Sequence, residues 1–225
     1  MKFTFGIITS GANQTIDIIA DSIQRQNIPD YEIIVVGGPR TPRANIHVEF
    51  DENVKPAWIT RKKNIITQLA KFENIVYLHD YVVFEDDWYS GFLKFGDEFK
   101  VCMNRIVNPD GSRFRDWVIC PWGLPHNNFI NESTRDCLIP YDMVHVSKYQ
   151  YISGTYWVAK KSVMQEFPLN EQLSWGESED VLWSKQVREK YDFSMNALST
   201  VRLLKFKDPV FSEAQLPLLQ QLQNI

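Results

Sequence analysis

The residues best suited to chemistry lie in three short runs. His79-Asp80-Tyr81 follows directly on the apolar stretch 74–78 (NIVYL), with Glu85, Asp86 and Asp87 close behind. A carboxylate at the mouth of a sheet is placed to hold a hard divalent ion such as Mg2+ or Mn2+. Such ions take oxygen ligands and commonly bridge one or two carboxylates to substrate phosphates. The same pattern also suits a plainer role, with Asp80 capping a turn and the later acids opening a solvated helix near Asp87-Trp88. The second run, Trp175-Gly176-Glu177-Ser178-Glu179-Asp180, leads into apolar residues at helical spacing. Acids in a first turn complement the helix dipole, and Ser174 or Ser178 can cap it. A carboxylate there can equally serve as a general base. The third run is Arg61-Lys62-Lys63-Asn64, near the start of another helix. Its cations and the helix N-terminus can reach a pyrophosphate, or they form a solvated basic face.

The elements that position these runs follow from periodicity. Residues 3–9 (FTFGIIT) read as a buried strand ending in Ser10-Gly11. Ile16, Ile19, Ala20 and Ile23 mark a helix over 14–26, stopped by a Pro-containing turn at 27–30. Residues 32–36 (EIIVV) form a second strand ending at Gly37-Gly38-Pro39, and 45–50 a short third one ending at Asp51-Glu52. A helix over 59–72 should turn Ile65, Ile66, Leu69 and Ala70 inward, before the strand 74–78. Strands and helices at these intervals predict a parallel sheet of Rossmann type, whose ligands sit beyond the carboxyl ends of the strands. Thr9-Ser10-Gly11, Gly37-Gly38, Asp51 and His79-Asp80-Tyr81 are thereby expected around one crevice. The segment 101–150 is rich in proline and aromatics and shows no sustained period. A strand over 151–160, a helix over 178–191 with Leu182, Trp183, Val187 and Tyr191 apolar, and a short amphipathic tail helix complete the reading. There is no internal repeat or low-complexity linker, so residues 1–225 are expected to form one domain.

Composition narrows the function. The 225 residues are 44% hydrophobic and 23% charged, with a net charge of −4 and no long basic run. Nucleic acid is therefore not expected as a partner, since backbone binding needs clustered Lys and Arg. Cys102, Cys120 and Cys137 show no metal-binding spacing and suit reduced thiols in a reducing compartment. The N-terminal residues lack a signal-peptide pattern, and no apolar run is long enough for an integral membrane segment, so a cytoplasmic location is expected. The Walker A pattern and GxGxxG are both absent. Thr9-Ser10-Gly11-Ala12 is also not the Gly-rich, Arg-containing loop that a sugar nucleotidyltransferase needs.

Taken in order, these stretches resemble the GT-A glycosyltransferases, in particular the inverting glycosyltransferase family 2. The matching run goes from Lys62-Lys63-Asn64 without a gap to Leu78-His79-Asp80-Tyr81, where the family carries its metal-binding Asp-x-Asp. In the second half Ser153-Gly154-Thr155 precedes a strand, and Trp175-Gly176 precedes the Glu179-Asp180 pair opening a helix. The resemblance covers residues 3–195. It implies an α/β fold, a single Rossmann-like GT-A domain with a mostly parallel central sheet flanked by helices. Residues 1–100 would bind the nucleotide sugar, a UDP-sugar among the candidates, and 101–210 the acceptor glycan, or another hydroxyl-bearing acceptor, and the catalytic base. Asp80 would contact Mn2+ or Mg2+ and the donor diphosphate, while Thr9, Ser10 and Asp51 line the nucleobase and ribose pocket. Gly37, Ser153 and Gly154 would also touch the donor, Lys62 or Lys63 would approach its phosphates, and Asp180, or failing it Glu179, would be the base. The acceptor would lie against the irregular segment, on Arg115, Trp117, Trp122 and His126, although Trp117 and Trp122 suit a core equally well. Two departures stand out: the Asp-x-Asp has become His79-Asp80-Tyr81, without its second acid, and the strand that often ends in an acid near the nucleobase ends in Gly37-Gly38; no histidine follows Asp180 to complete a metal shell. A non-catalytic carbohydrate- or nucleotide-sugar-binding protein of the same fold is the alternative reading.

Overall fold

In the computed structural model, residues 1–12, 14–119, 137–144, 150–173, 175–207 and 220 are described. The alternation of β-branched runs with amphipathic segments gives β1 (Lys2–Ile8), α1 (Ile16–Gln24), β2 (Asp30–Val36), β3 (Ile46–Val48), α2 (Ile59–Leu69) and β4 (Asn74–His79). A tight turn at 80–81 leads into β5 (Val82–Phe84) and α3 (Trp88–Phe95). The second half supplies β6 (Val101–Val107), β7 (Val118–Ile119), β8 (Cys137–Leu138), β9 (Gln150–Tyr151) and β10 (Tyr156–Lys160). It closes with α4 (Lys161–Glu166), α5 (Glu179–Val187) and β11 (Phe193–Leu203).

Eight strands form one curled sheet in the order β3-β2-β1-β4-β10-β6-β11-β5. The α/β, Rossmann-like architecture is as expected, but the sheet is mixed. Its first four strands are parallel, as are β6 and β11, whereas β10 runs antiparallel to both β4 and β6, and β5 antiparallel to β11. The reversal at β10 has a structural consequence. Tyr156 pairs with Leu78, so the turn 152–155 lands beside the exit of β4, where the His79 N–H donates to the Thr155 carbonyl at 3.2 Å. The expected strand over 151–160 is thus two strands split by this turn. Strands β7, β8 and β9 make a small antiparallel sheet whose buried Val118, Leu138 and Tyr151 pack on Val181 of α5.

The core runs along both faces of the large sheet. Trp88 and Phe92 of α3 meet Phe3, Phe5 and Phe84 with ring centroids between 4.7 and 5.5 Å apart. Each such buried aromatic contributes roughly 1.5–3 kcal/mol through the area it removes from water. Helix α2 departs from its expected apolar face. Ile66 is buried, but so are Thr60, Lys62, Lys63, Asn64 and Thr67, while Leu69 is exposed. In α5, Trp183 and Val187 are buried and Leu182 is exposed. Cys102 and Cys137 are buried free thiols. Among the described residues no helix is long and apolar enough to cross a membrane.

Candidate functional site

Where β4 ends, the turn 152–155 and the first turn of α5 meet around a cavity of about 330 Å³. Asp180 stands on its wall, half-buried, and two backbone N–H groups hold its carboxylate: Gly154 at 2.9 Å on Oδ2 and Val181 at 2.9 Å on Oδ1. Gly154 is required for this approach. A Cβ there would lie 2.9 Å from Glu179 Oε1 and 3.0 Å from Asp180 Oδ2. Ser178, at the cap position, makes no side-chain cap bond and has a φ of 57°. The acids therefore lie in the helix's first turn, where its dipole favours negative charge.

Beneath them lies Lys63, fully buried. Its ammonium donates to the Gly154 carbonyl at 2.8 Å and sits 4.3 Å from the Trp157 ring centroid. Burial pushes its pKa down to about 8, against the opposing pull of Glu179 and then Asp180. Burial raises Glu179, with Lys63 opposing and Asp180 adding to the rise. His79, on the same cavity, is held well below the usual imidazole range, first by burial and then by the charges of Lys63 and Lys207, so its ring is neutral.

The cavity has a second, cationic pole. The Tyr81 ring has Lys205 Nζ at 4.5 Å and Lys207 Nζ at 4.8 Å from its centroid, and Lys207 donates to the phenol oxygen at 3.3 Å. Arg115 lines the same hollow and holds a φ of 37°, an uncommon backbone for a side-chain-bearing residue. Burial lowers Lys207, and the Arg115 charge lowers it further. The acids and Lys63 thus act on one another, Lys207 and Arg115 act on one another, and His79 feels a lysine from each group. Two poles share one hollow, with a neutral imidazole between.

Asp80 lies between this cavity and another of about 260 Å³ lined by Thr9, Gly11, Gln14, Arg40 and Thr41. Its buried carboxylate accepts the Thr9 hydroxyl at 2.6 Å, and its carbonyl accepts the Thr15 hydroxyl. Of the expected donor residues, Thr9, Ser153 and Gly154 line a cavity. Ser10 is exposed, and Asp51 is exposed with its Oδ1 accepting the Asn53 N–H at 2.9 Å, so it caps a turn. Gly37 is demanded by packing: its φ is 92°, and a Cβ would meet the Thr9 carbonyl oxygen at 2.1 Å.

Lys62 and Lys63, expected to approach the phosphates, both have partners within the protein. Lys62 is buried, donating to the Thr9 carbonyl at 2.7 Å and to Glu52, and Lys63 is spent on Gly154. Trp117 is buried in the core, so it offers no face to an acceptor, while Trp122 and His126 lie outside the described residues. The expected Mn2+ or Mg2+ at Asp80 finds a poor donor set. One carboxylate is present, turned to Thr9, and the next residue is a phenol beneath two ammonium groups. Among the described residues no three His, Cys, Asp or Glu side chains gather to hold a metal. These residues do not fit a protein-held divalent ion.

Of the cavity residues, Lys207 was not foreseen at all, while His79, Tyr81 and Trp175 stood in the runs singled out but were given no role of their own. Trp175, 70% exposed at the rim, was signalled by its place before Gly176 and the acid pair. Lys207 had no signal, because only the pairing of β11 with β6 and β5 brings the chain after it back to Tyr81.

The chain matches no family model and no curated protein. Its fold is similar to that of S. aureus TarS. The structure of TarS 1–349 with UDP aligns at a TM-score of 0.58 and 15% identity, covering 90% of this chain and 61% of that one. TarS 1–349 with UDP-GlcNAc aligns at 0.59 and 15%, covering 92% and 60%, and a further TarS structure aligns at 0.55 and 15%, covering 99% and 38%. The chain thus spans about three-fifths or less of these matched chains. At this identity the likeness shows the fold alone.

Proposed function

We propose that the protein is a glycosyltransferase that moves a sugar from a nucleoside diphosphate sugar to an acceptor hydroxyl, with inversion. One observation carries this reading: a single cavity holds a backbone-anchored carboxylate at one pole and cations at the other. Glycosyl transfer needs a base for the incoming hydroxyl and positive charge for the departing diphosphate, on opposite sides of the anomeric carbon.

In this reading the nucleoside occupies the cavity beside Thr9 and Gln14, within residues 1–100, and the diphosphate crosses the Asp80-Tyr81 turn. The sugar then lies in the larger cavity, against Ser153 and Gly154. TarS, of the same fold, has been crystallised with UDP and UDP-GlcNAc, which supports a uridine nucleotide as the first donor to try. The acceptor enters past Trp175, an exposed ring suited to the apolar face of a sugar. Asp180 Oδ2 takes the hydroxyl proton as the acceptor oxygen attacks the anomeric carbon. The bond from that carbon to the phosphate oxygen breaks, and its electron pair leaves with the diphosphate. Asp180 suits this role better than Glu179 because its carboxylate is half-exposed on the cavity and fixed by two backbone N–H groups, whereas Glu179 is buried.

The test is Asp180→Asn, which keeps the side chain's size and one of its two backbone bonds, the amide oxygen accepting from Gly154 or from Val181. Sugar transfer from UDP-sugars should fall by about 10²- to 10⁴-fold, the usual worth of a general base, with donor affinity by calorimetry retained. An active variant removes Asp180 from the mechanism, and failure of the wild-type protein to bind any nucleoside diphosphate sugar removes the reading itself.

A further inference from the structure

The cationic pole makes a more specific statement than the fold does. Several cations of this protein are spent on carboxylates, among them Lys62 on Glu52, Arg61 on Glu171, Lys160 on Asp97 and Arg202 on Glu85. Lys205 and Lys207 have no carboxylate partner among the described residues, although both reach Tyr81. Lys207 is drawn half into the protein beside Arg115, so that two cations line one wall of the hollow. Arg115 is held there by rigid neighbours. Phe114 is buried, and Asp116 is pinned by Arg113 at 2.8 Å, by the Trp117 N–H at 2.8 Å and by the Tyr141 hydroxyl at 2.6 Å. Strained backbone maintained by over-determined surroundings is characteristic of ligand clamps.

Tyr81 stands where a second metal-binding acid would be expected, and it removes a negative charge from the path of a phosphate. We infer that Lys207 and Arg115, assembled on Tyr81, form the diphosphate site of the donor and supply by themselves the positive charge that a divalent ion supplies elsewhere. The inference rests on the glycosyltransferase reading and deepens it. As the anomeric bond breaks, its electron pair passes to the diphosphate oxygen. The new negative charge is met by an ammonium and a planar guanidinium, both strong phosphate donors.

The test is calorimetric titration of the full chain with UDP, UMP and inorganic pyrophosphate, in EDTA and again in excess Mn2+. UDP should bind in EDTA within about threefold of its affinity in Mn2+. Lys207→Gln should weaken UDP about tenfold, the worth of one charge-assisted hydrogen bond to phosphate. It should leave UMP nearly unchanged, and Lys207→Arg should recover most of the loss. Lys207 is near the surface after the last strand, so these variants are expected to fold, and thermal unfolding checks that they do. UDP binding that requires Mn2+ and ignores Lys207→Gln overturns the inference while leaving the transferase reading standing. Pyrophosphate binding that depends on Lys207, with no affinity for UDP or nucleotide sugars, keeps the anion site and overturns that reading instead. Binding of neither overturns both.

Discussion

Lys63→Met isolates the charge at the bottom of the site. Methionine keeps most of the stem's volume against Trp157 and removes the nitrogen that titrates. In the folded protein that nitrogen has a pKa of about 8, against an ordinary value of 10.5. Between these two pH values the unfolded chain still holds a proton that the folded chain has released. Stability therefore rises with pH across the interval, and below pH 8 the buried ammonium exerts its full cost. An interval of about 2.5 pH units at about 1.4 kcal/mol each gives about 3–4 kcal/mol, of which about 2 kcal/mol falls between pH 7.5 and 10. Urea unfolding of wild type and Lys63→Met at both pH values measures it, because the other lysines and tyrosines titrate alike in the two proteins and cancel. The wild-type-minus-variant difference should grow by about 2 kcal/mol in favour of wild type at the higher pH. A difference that stays flat, or shrinks, would show that Lys63 is not the buried, displaced cation described here.

Two other substitutions probe the site's construction. Gly154→Ala places a methyl group 2.9 Å from Glu179 Oε1 and 3.0 Å from Asp180 Oδ2, so the acids must move. A shift of a few tenths of an ångström should lower kcat by about three- to tenfold with little change in donor affinity, and kinetics identical to wild type would mean that Asp180's position is unimportant. Trp175→Ala removes an exposed ring from the cavity rim. It should raise the acceptor KM by about three- to tenfold, the worth of one aromatic face, with donor binding by calorimetry unaffected; an unchanged acceptor KM would remove the stacking role.

The first half of the fold was legible because its strands and its first helix carry the apolar periods that burial demands: 3–9, 32–36 and 74–78 became β1, β2 and β4 within one to two residues at each end. Strands β6 and β11 were not legible, and the reason lies in their core. Tyr156 accepts from Trp88 Nε1 at 2.7 Å and donates to Asn104 Oδ1 at 2.5 Å, and Asn104 reaches the Asn196 carbonyl at 3.4 Å. Asn196 then donates to Ser199, whose hydroxyl returns to the Trp88 carbonyl at 2.6 Å. This closed polar ring, with a bulge between Asn196 and Thr200, places asparagine and serine where hydropathy expects leucine. The two lysines of α2 misled for a related reason. A cation in a helix's first turn reads as solvated, and only the distant carbonyls of Thr9 and Gly154 determine that both are buried. The acid pair at 179–180 was found because it opens a helix after Trp175-Gly176. Of the cations opposite it, Arg115 was expected only as an acceptor contact and Lys207 was missed, since the two lie ninety-two residues apart and share no motif.

The most direct measurement of the central claim is the rate at which nucleotide is released from a nucleoside diphosphate sugar in the presence of acceptor, compared between wild type and Asp180→Asn at matched donor occupancy. The account predicts measurable release by wild type and a loss of at least about a hundredfold in the variant. Equal rates in the two proteins, or donor that binds but is never turned over by wild type, would contradict it.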